Sequence, residues 1–381
     1  GHGGGVSEPD DRPARVLIVD DSVVIRRLLA DTLSESDFIE VVGKASNGKI
    51  GLQRIRQLAP EVVVLDVEMP EMDGLETLKE IAKLDKPPRV IMFSMLTETG
   101  ADVTVKALAL GASDYVTKPA NVGGVAEGKQ QVRDGMVPKV LALLPRHMRR
   151  AGRVPHHAPP PPPKVQAAPI ERAISFATGR VDLVVIASST GGPNALAQVI
   201  PKLPRDLPVP VLIVQHMPPM FTGFLAKRLN DLSPFDVAEA TEGEPLRAGR
   251  VLIAPGGKHM SVARSATGHR ISVHDGPPEN SCRPAADVLF RSAAAMFGAH
   301  CLGVVLTGMG KDGFVGCEHI KNAGGQVVSQ DEATSVVWGM PGWVSRMGVT
   351  DRVLPLPAMA GEMTRRIFRR RRREPLRKAS A

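Results

Sequence analysis

The sequence is poor in aromatic residues: one Tyr, two Trp and ten Phe among 381 positions. Base-stacking platforms for single-stranded nucleic acid have little to be built from, and the cores must be aliphatic. Cysteine is scarce too, and the three present, Cys282, Cys301 and Cys317, follow no framework spacing. A disulfide scaffold is thereby excluded, and a reduced, cytoplasmic setting is expected. No apolar run approaches the ~20 residues needed to span a bilayer, so a membrane-embedded chain is not expected. Excess charge is missing everywhere but one place. Arg365 to Lys378 (RRIFRRRRREPLRK) holds nine basic residues and one acidic, which equals the +8 of the whole chain. The remainder is balanced and lacks the distributed basic face that nucleic acids bind. Segment 361–381 reads as a solvated basic tail, with contact to a receptor or an anionic membrane surface as its minority role.

What is present is a pair of α/β patterns divided by prolines. From Arg15 to Lys118, short β-branched runs (RVLIV, EVVVL, RVIMF, DYVT) alternate with amphipathic stretches, the pattern of a parallel sheet with crossover helices. A helix and a linker follow over 136–179, where Pro159 to Pro163 can join neither a helix interior nor a sheet ladder. A second parallel pattern occupies 180–360 (VDLVVIA, VPVLIV, RVLIA, CLGVVL, GQVVS). Between its third and fourth runs, HMSVARSATGHRISVHDG alternates about a Gly turn and predicts an antiparallel hairpin at the edge of the second sheet.

Ligands of a parallel sheet gather beyond the carboxyl ends of its strands. In the first pattern, over 14–135, those ends carry Asp20 and Asp21, Asp66, Ser94, and Lys118. Carboxylates converging on one point repel unless a cation bridges them, and an all-oxygen set suits Mg²⁺. Asp66 is then a natural phosphoryl acceptor, with a lysine and a hydroxyl beside it. The motifs VLIVDDS, VVVLDVEMPEMDG, FSMLT and DYVTKP resemble those of two-component response-regulator receiver domains. The resemblance implies a flavodoxin-like fold, Mg²⁺ near Asp20, Asp21 and Asp66, and phosphotransfer from a histidine kinase to Asp66. It also implies that Ser94 is the switch hydroxyl and Lys118 the conserved-type lysine.

The second pattern opens with IASSTGGPN, residues 186–194, a strand running into a double glycine and a helix. Neither a P-loop nor a dinucleotide glycine register fits this turn. The nucleophile elbow G-x-S-x-G fits around Ser189 save that Ala187 replaces its first glycine, whereas around Ser188 it would put Thr190 at the second. A base comes from His216 beyond the second strand, with His259 a competitor on placement and His274 at the hairpin end; Asp312 follows the fourth. Gly308, Gly310 and Gly313 also match G-x-G-x-x-G, with Asp331 where a ribose-binding acid would fall, which raises a dinucleotide-binding alternative. Its late position and the acid inside the turn weigh against it.

SSTGGPNAL, QHMPPMFTGFLAKRL, APGGKHM, RPAADVLFRSAA and LTGMGKDG are similar to the catalytic domain of the chemotaxis protein-glutamate methylesterase family. The resemblance implies a Rossmann-like doubly wound sheet, a triad of Ser189, His216 and Asp312, Thr190 beside the serine, and the Met309 backbone N–H in an oxyanion hole. It further implies a methyl-accepting chemoreceptor as substrate, glutaminase activity at receptor glutamines, no cofactor for the ester chemistry, and a receiver that covers the cleft until phosphorylated. Ala187 departs from the family's usual glycine. A phosphorylation-dependent binding module with an inert esterase site is the rival from another class.

Overall fold

A computed structural model describes residues 12–119, 124–144 and 179–369. It divides into two compact units, residues 1–158 and 159–381. Pro159 to Pro163 lie outside the described residues.

The first unit holds β1 (Ala14–Val19), β2 (Ile39–Ala45), β3 (Val62–Asp66), β4 (Arg89–Ser94) and β5 (Asp114–Thr117) in the parallel order β2-β1-β3-β4-β5. This is the flavodoxin-like arrangement, whose switch point lies between β1 and β3. Five helices connect or close it: α1 (Val23–Leu33), α2 (Gly48–Leu58), α3 (Gly74–Ile81), α4 (Glu98–Ala109) and α5 (Val125–Ala142). The first four begin where Ser22, Asn47, Asp73 and Thr97 accept hydrogen bonds from first-turn N–H groups, and Asp73 with Glu76 makes a full capping box. Because α5 runs through position 135, the expected boundary there falls inside a helix.

The second unit has a seven-stranded sheet in which every pair is parallel. Its strands are β6 (Leu183–Ser188), β7 (Val211–Gln215), β8 (Val237–Glu239), β9 (Val251–Ile253), β12 (Cys301–Val305), β13 (Gln326–Gln330) and β14 (Arg352–Leu354). The order β14-β13-β12-β6-β7-β9-β8 places the topological switch between β12 and β6. The central strands are buried on both faces, as their unbroken apolar runs require. Helices α6 (Gly192–Val199), α7 (Phe221–Leu232), α8 (Ala286–Phe297), α9 (Phe314–Asn322), α10 (Met340–Arg346) and α11 (Leu356–Phe368) complete the unit.

One expectation is corrected. The hairpin, β10 (His259–Ser265) with β11 (Gly268–His274), forms its own two-stranded sheet rather than joining an edge of the large one, and its β11 backbone bonds the segment 243–246. It is also tied to α8, where the Ser292 hydroxyl accepts the Val262 N–H at 2.9 Å. The basic tail, placed at 361–381, begins inside α11, which buries Met359, Met363 and Ile367. The exposed Arg365 and the largely covered Arg366, with Arg352, hold the buried Glu362 carboxylate at 2.6–3.2 Å. Burial works against that charge, yet the arginines outweigh it and bring its pKa down to about 2. Residues 370–381 lie outside the described residues.

Candidate functional site

Each unit gathers its candidate residues at the carboxyl end of its sheet. In the first, Asp20 follows β1, Asp66 ends β3, Ser94 ends β4 and Lys118 follows β5. Lys118 Nζ lies 2.9 Å from Asp20 Oδ2 and 2.8 Å from Asp66 Oδ1, with Asp20 and Asp66 buried and Asp21 exposed. Asp20 Oδ1 also accepts the Ser22 N–H at 2.8 Å. Asp66 Oδ2 is buried without a partner. Burial is the main cause raising Asp66 to about 6; Lys118 opposes it and Asp20 adds to it. Lys118 is itself held above its usual value, since the two carboxylates outweigh its burial.

Oxygens of Asp20, Asp21 and Asp66 lie within 4.8 Å of one another. An unpartnered buried carboxylate oxygen among three oxygen donors is the chemistry a hard divalent cation satisfies, so these residues fit Mg²⁺. Ser94 Oγ is buried and sits 2.8 Å from Thr104 Oγ1 of α4.

In the second unit the register pairs Ser188 with Gln215, so Ser189 and His216 are the next residues on neighbouring parallel strands. The turn after Ser189 is tight. Gly191 sits at φ +78° as the residue capping the N-terminus of α6, and a Cβ on Gly192 would lie 2.0 Å from Gln215 Oε1. The double glycine is therefore a steric requirement. Gln215 braces the turn from β7: its Oε1 accepts the Ser188 hydroxyl at 2.6 Å and its Nε2 donates to the Ser189 carbonyl at 2.9 Å. From the other side, the Ser189 N–H donates to the Thr307 carbonyl at 3.0 Å. Gly308 packs so closely that its Cβ would lie 2.8 Å from Ser189 Cβ, which brings the loop carrying Met309 against the serine. Thr190 is buried, and its carbonyl accepts the Thr307 hydroxyl at 2.9 Å.

Asp312 follows β12, across the switch point from Ser189. Its Oδ2 lies 2.7 Å from His216 Nε2 and accepts the Ala286 N–H at 2.6 Å. Its Oδ1 accepts from Asp287 N at 3.0 Å, Gly313 N at 3.0 Å and Asn280 Nδ2 at 3.1 Å. These partners outweigh its burial and hold the carboxyl below its usual range. They also consume the Gly313 N–H, a helix-start donor that a pyrophosphate would need, against the dinucleotide alternative. Asp331 bonds Thr334 in a local turn.

His216 is raised to about 10: burial disfavours its charge, and Asp312 and the Cys282 sulfur more than compensate. Its Nδ1 faces Cys282 Sγ at 3.7 Å. Among the described residues Ser189 Oγ makes no hydrogen bond, so the serine–histidine link is not formed here. His259 is buried and structural, with Nε2 2.9 Å from the Pro277 carbonyl and Nδ1 accepting the Ala285 N–H at 3.2 Å. His274, whose ring lies tilted 43° to that of His259 at 5.5 Å between centroids, belongs to the hairpin end.

The sequence reading overlooked Gln215, Asn280 and Cys282. A polar residue closing an apolar strand beside His216 was the available signal for Gln215. Asn280 and Cys282 lie in an irregular segment whose path no periodicity encodes.

The family model for the CheB methylesterase matches residues 184–363, and that for the response regulator receiver domain matches residues 16–127. A protein-glutamate methylesterase/protein-glutamine glutaminase from a Nocardioides species is 50% identical over 94% of this chain and 96% of its own length. The protein of the same description from Trichodesmium erythraeum is 47% identical over 93% and 99%. The crystal structure of the Thermotoga maritima CheB methylesterase catalytic domain is 40% identical and covers 49% of this chain and 98% of that one, at a TM-score of 0.48.

Proposed function

Because the chain belongs to the CheB methylesterase family and carries a response regulator receiver domain, we propose that it hydrolyses γ-glutamyl methyl esters of a methyl-accepting chemoreceptor under the control of a histidine kinase. The observation that carries this reading is the joining of His216 to Asp312 at 2.7 Å beside the turn that presents Ser189. Asp312 fixes Nε2, which leaves Nδ1 as the nitrogen that takes the Ser189 proton. The link from Ser189 to that nitrogen forms with substrate, as catalytic hydrogen bonds commonly tighten only then.

Ser189 attacks the ester carbonyl, and His216 receives its proton and returns it to methanol as that departs. Water then hydrolyses the acyl-serine and restores glutamate. The Met309 N–H, with Thr190 beside the serine, serves the oxyanion. Deamidation of receptor glutamines runs through the same acyl-serine, with ammonia leaving.

In the receiver, Asp66 takes the phosphoryl group, Lys118 holds its oxygens, and Ser94 turns from Thr104 toward it. Asp20, Asp21 and Asp66 would hold Mg²⁺, which supplies neutralising charge at the phosphoryl oxygens when bound. The segmentation that goes with this reading is a receiver over 14–135, a helix and Pro-rich linker over 136–179, the esterase over 180–360 and a basic tail over 361–381, in a cytoplasmic protein. Among the described residues no helix is long and apolar enough to cross a membrane.

The test is methanol release from methylated receptor membranes, with and without a small phosphodonor and Mg²⁺. The parent is expected to release methanol and to be stimulated by the phosphodonor. Ser189→Ala should lose release by on the order of 10⁴-fold or more. Asp66→Asn should keep basal release and lose stimulation. No release from the parent on its cognate receptor rejects the reading and leaves a phosphorylation-dependent binding module.

A further inference from the structure

The half-buried Cys282 sulfur beside His216 belongs to neither the triad nor the receiver chemistry. Its single proton is donated to the Asn280 carbonyl at 3.3 Å, nearer than the ring nitrogen at 3.7 Å, so the sulfur turns lone pairs toward Nδ1. Donor atoms of His216, Cys282 and Asp312 lie within 4.8 Å of one another. Asp312 is already occupied: its two oxygens take five hydrogen bonds, one of them from Nε2 of the same ring. The pair open to a metal, once Nδ1 gives up its proton, is therefore Nδ1 with Sγ, and the carboxylate behind the histidine orients the ring, the arrangement typical of metal-bound imidazoles.

The spacing can be checked against a metal. Zn²⁺ with a Zn–S bond of ~2.3 Å, a Zn–N bond of ~2.05 Å and a tetrahedral angle separates sulfur from nitrogen by about 3.6 Å. The observed separation is 3.7 Å.

We propose that His216 Nδ1 and Cys282 Sγ form an inhibitory site for a thiophilic divalent metal of the Zn²⁺ class, with the remaining positions open to water. On binding, the Cys282 thiol and the protonated His216 Nδ1 each release a proton to solvent, and the sulfur and that nitrogen bond the metal; nothing is oxidised or reduced, and binding strengthens as pH rises. Mixed sulfur and nitrogen donors discriminate against Mg²⁺, so this site and the all-oxygen cluster of the receiver select different ions. The inhibitory consequence rests on His216 being the esterase base, because the metal occupies the nitrogen that must take the Ser189 proton. The binding itself does not depend on that reading.

Co²⁺ added to the full chain is the probe. The parent should develop a near-ultraviolet thiolate-to-cobalt charge-transfer band that Zn²⁺ abolishes. Cys282→Ser should lose that band, and Cys301→Ala and Asp66→Asn should keep it. Cys301 and Cys317 are fully buried with thiols pushed up, so they give no competing thiolate, and the receiver oxygens give no sulfur band. Methanol release should fall on addition of Zn²⁺ and return with chelator in the parent, and lose that sensitivity in Cys282→Ser. Absence of the band in the parent, or its persistence in a folded Cys282→Ser, overturns the proposal. An inactive parent that still shows the band removes the esterase reading and leaves the metal site standing.

Discussion

Two aspartates at the ends of parallel strands meet opposite fates in the two units. Asp66 is buried with one oxygen unpartnered, and its pKa rises to about 6. Asp312 is just as buried but takes five hydrogen bonds and is held below its usual range. The same residue type beyond the carboxyl edge of a parallel sheet is under-satisfied in one unit and saturated in the other. The difference matches the roles proposed for them. An acceptor of a phosphoryl group needs an oxygen free to form a bond, whereas an orienting anion must have none to spare.

The sharpest way to break this contrast is Asp312→Asn. The amide still reaches His216 but no longer supplies charge, and a loss of about 10⁴-fold in kcat is expected, as when a triad carboxylate is neutralised. The pH dependence separates an electrostatic role from a collapse of the loop. A base works only after losing its proton, so raising His216 to about 10 places the parent's rising limb of kcat/KM well above the ordinary histidine range. Without the carboxylate that limb should move down toward about 6.5. A limb that stays put would show that Asp312 does not set the charge of His216.

On the receiver side, the carboxyl carbon of Asp66 should titrate near 6 without metal. A divalent cation favours the ionised form, so Mg²⁺ should move that midpoint down by a unit or more. Isotope-edited NMR of the full chain reads it directly. An unchanged midpoint in saturating Mg²⁺ would mean that the unpartnered oxygen does not face a cation.

Gln215 was not legible as a functional residue, and the reason is physical. Sequence pattern reveals where apolar strands end and which residue types stand there, so Asp20, Asp66, Ser94, Lys118, His216 and Asp312 were found at strand ends. It does not reveal which backbone N–H groups fill a carboxylate. Three of the five donors to Asp312 are main-chain groups at Ala286, Asp287 and Gly313, which no residue type announces. Strand β2 was missed for a related reason: at an edge, IEVVGKA mixes exposed Glu40 and Lys44 with half-buried valines and shows no clean apolar run. The hairpin's alternation was legible, whereas its partner was not, because period two says that a strand has a buried face without saying against what.

Gln215→Ala tests the bracing just described. It removes the side chain that holds Ser188 and Ser189 from β7, leaving buried polar groups unpaired at a cost of about 1–3 kcal/mol. The expected kinetic result is a fall in kcat of about tenfold to a hundredfold, with KM little changed, because the turn loosens without altering the receptor surface. An unchanged kcat with lowered stability would assign Gln215 to folding alone.

The smallest effect is expected where the sequence departs from its family. Ala187 lies at 0% exposure in the core of the second unit, and a Cβ built on Gly313 would stand 3.5 Å from its methyl group, an ordinary contact. The methyl therefore packs in the core of the second unit, beside Gly313. Restoring glycine should cost about 1–2 kcal/mol, combining a lost buried methyl with greater chain freedom. Methanol release at a temperature where both forms are folded should change by less than about threefold, since the change removes only a core methyl. A large gain in rate for Ala187→Gly would show instead that the methyl crowds the nucleophile turn, and that the satisfied geometry around Asp312 is not enough to set the rate.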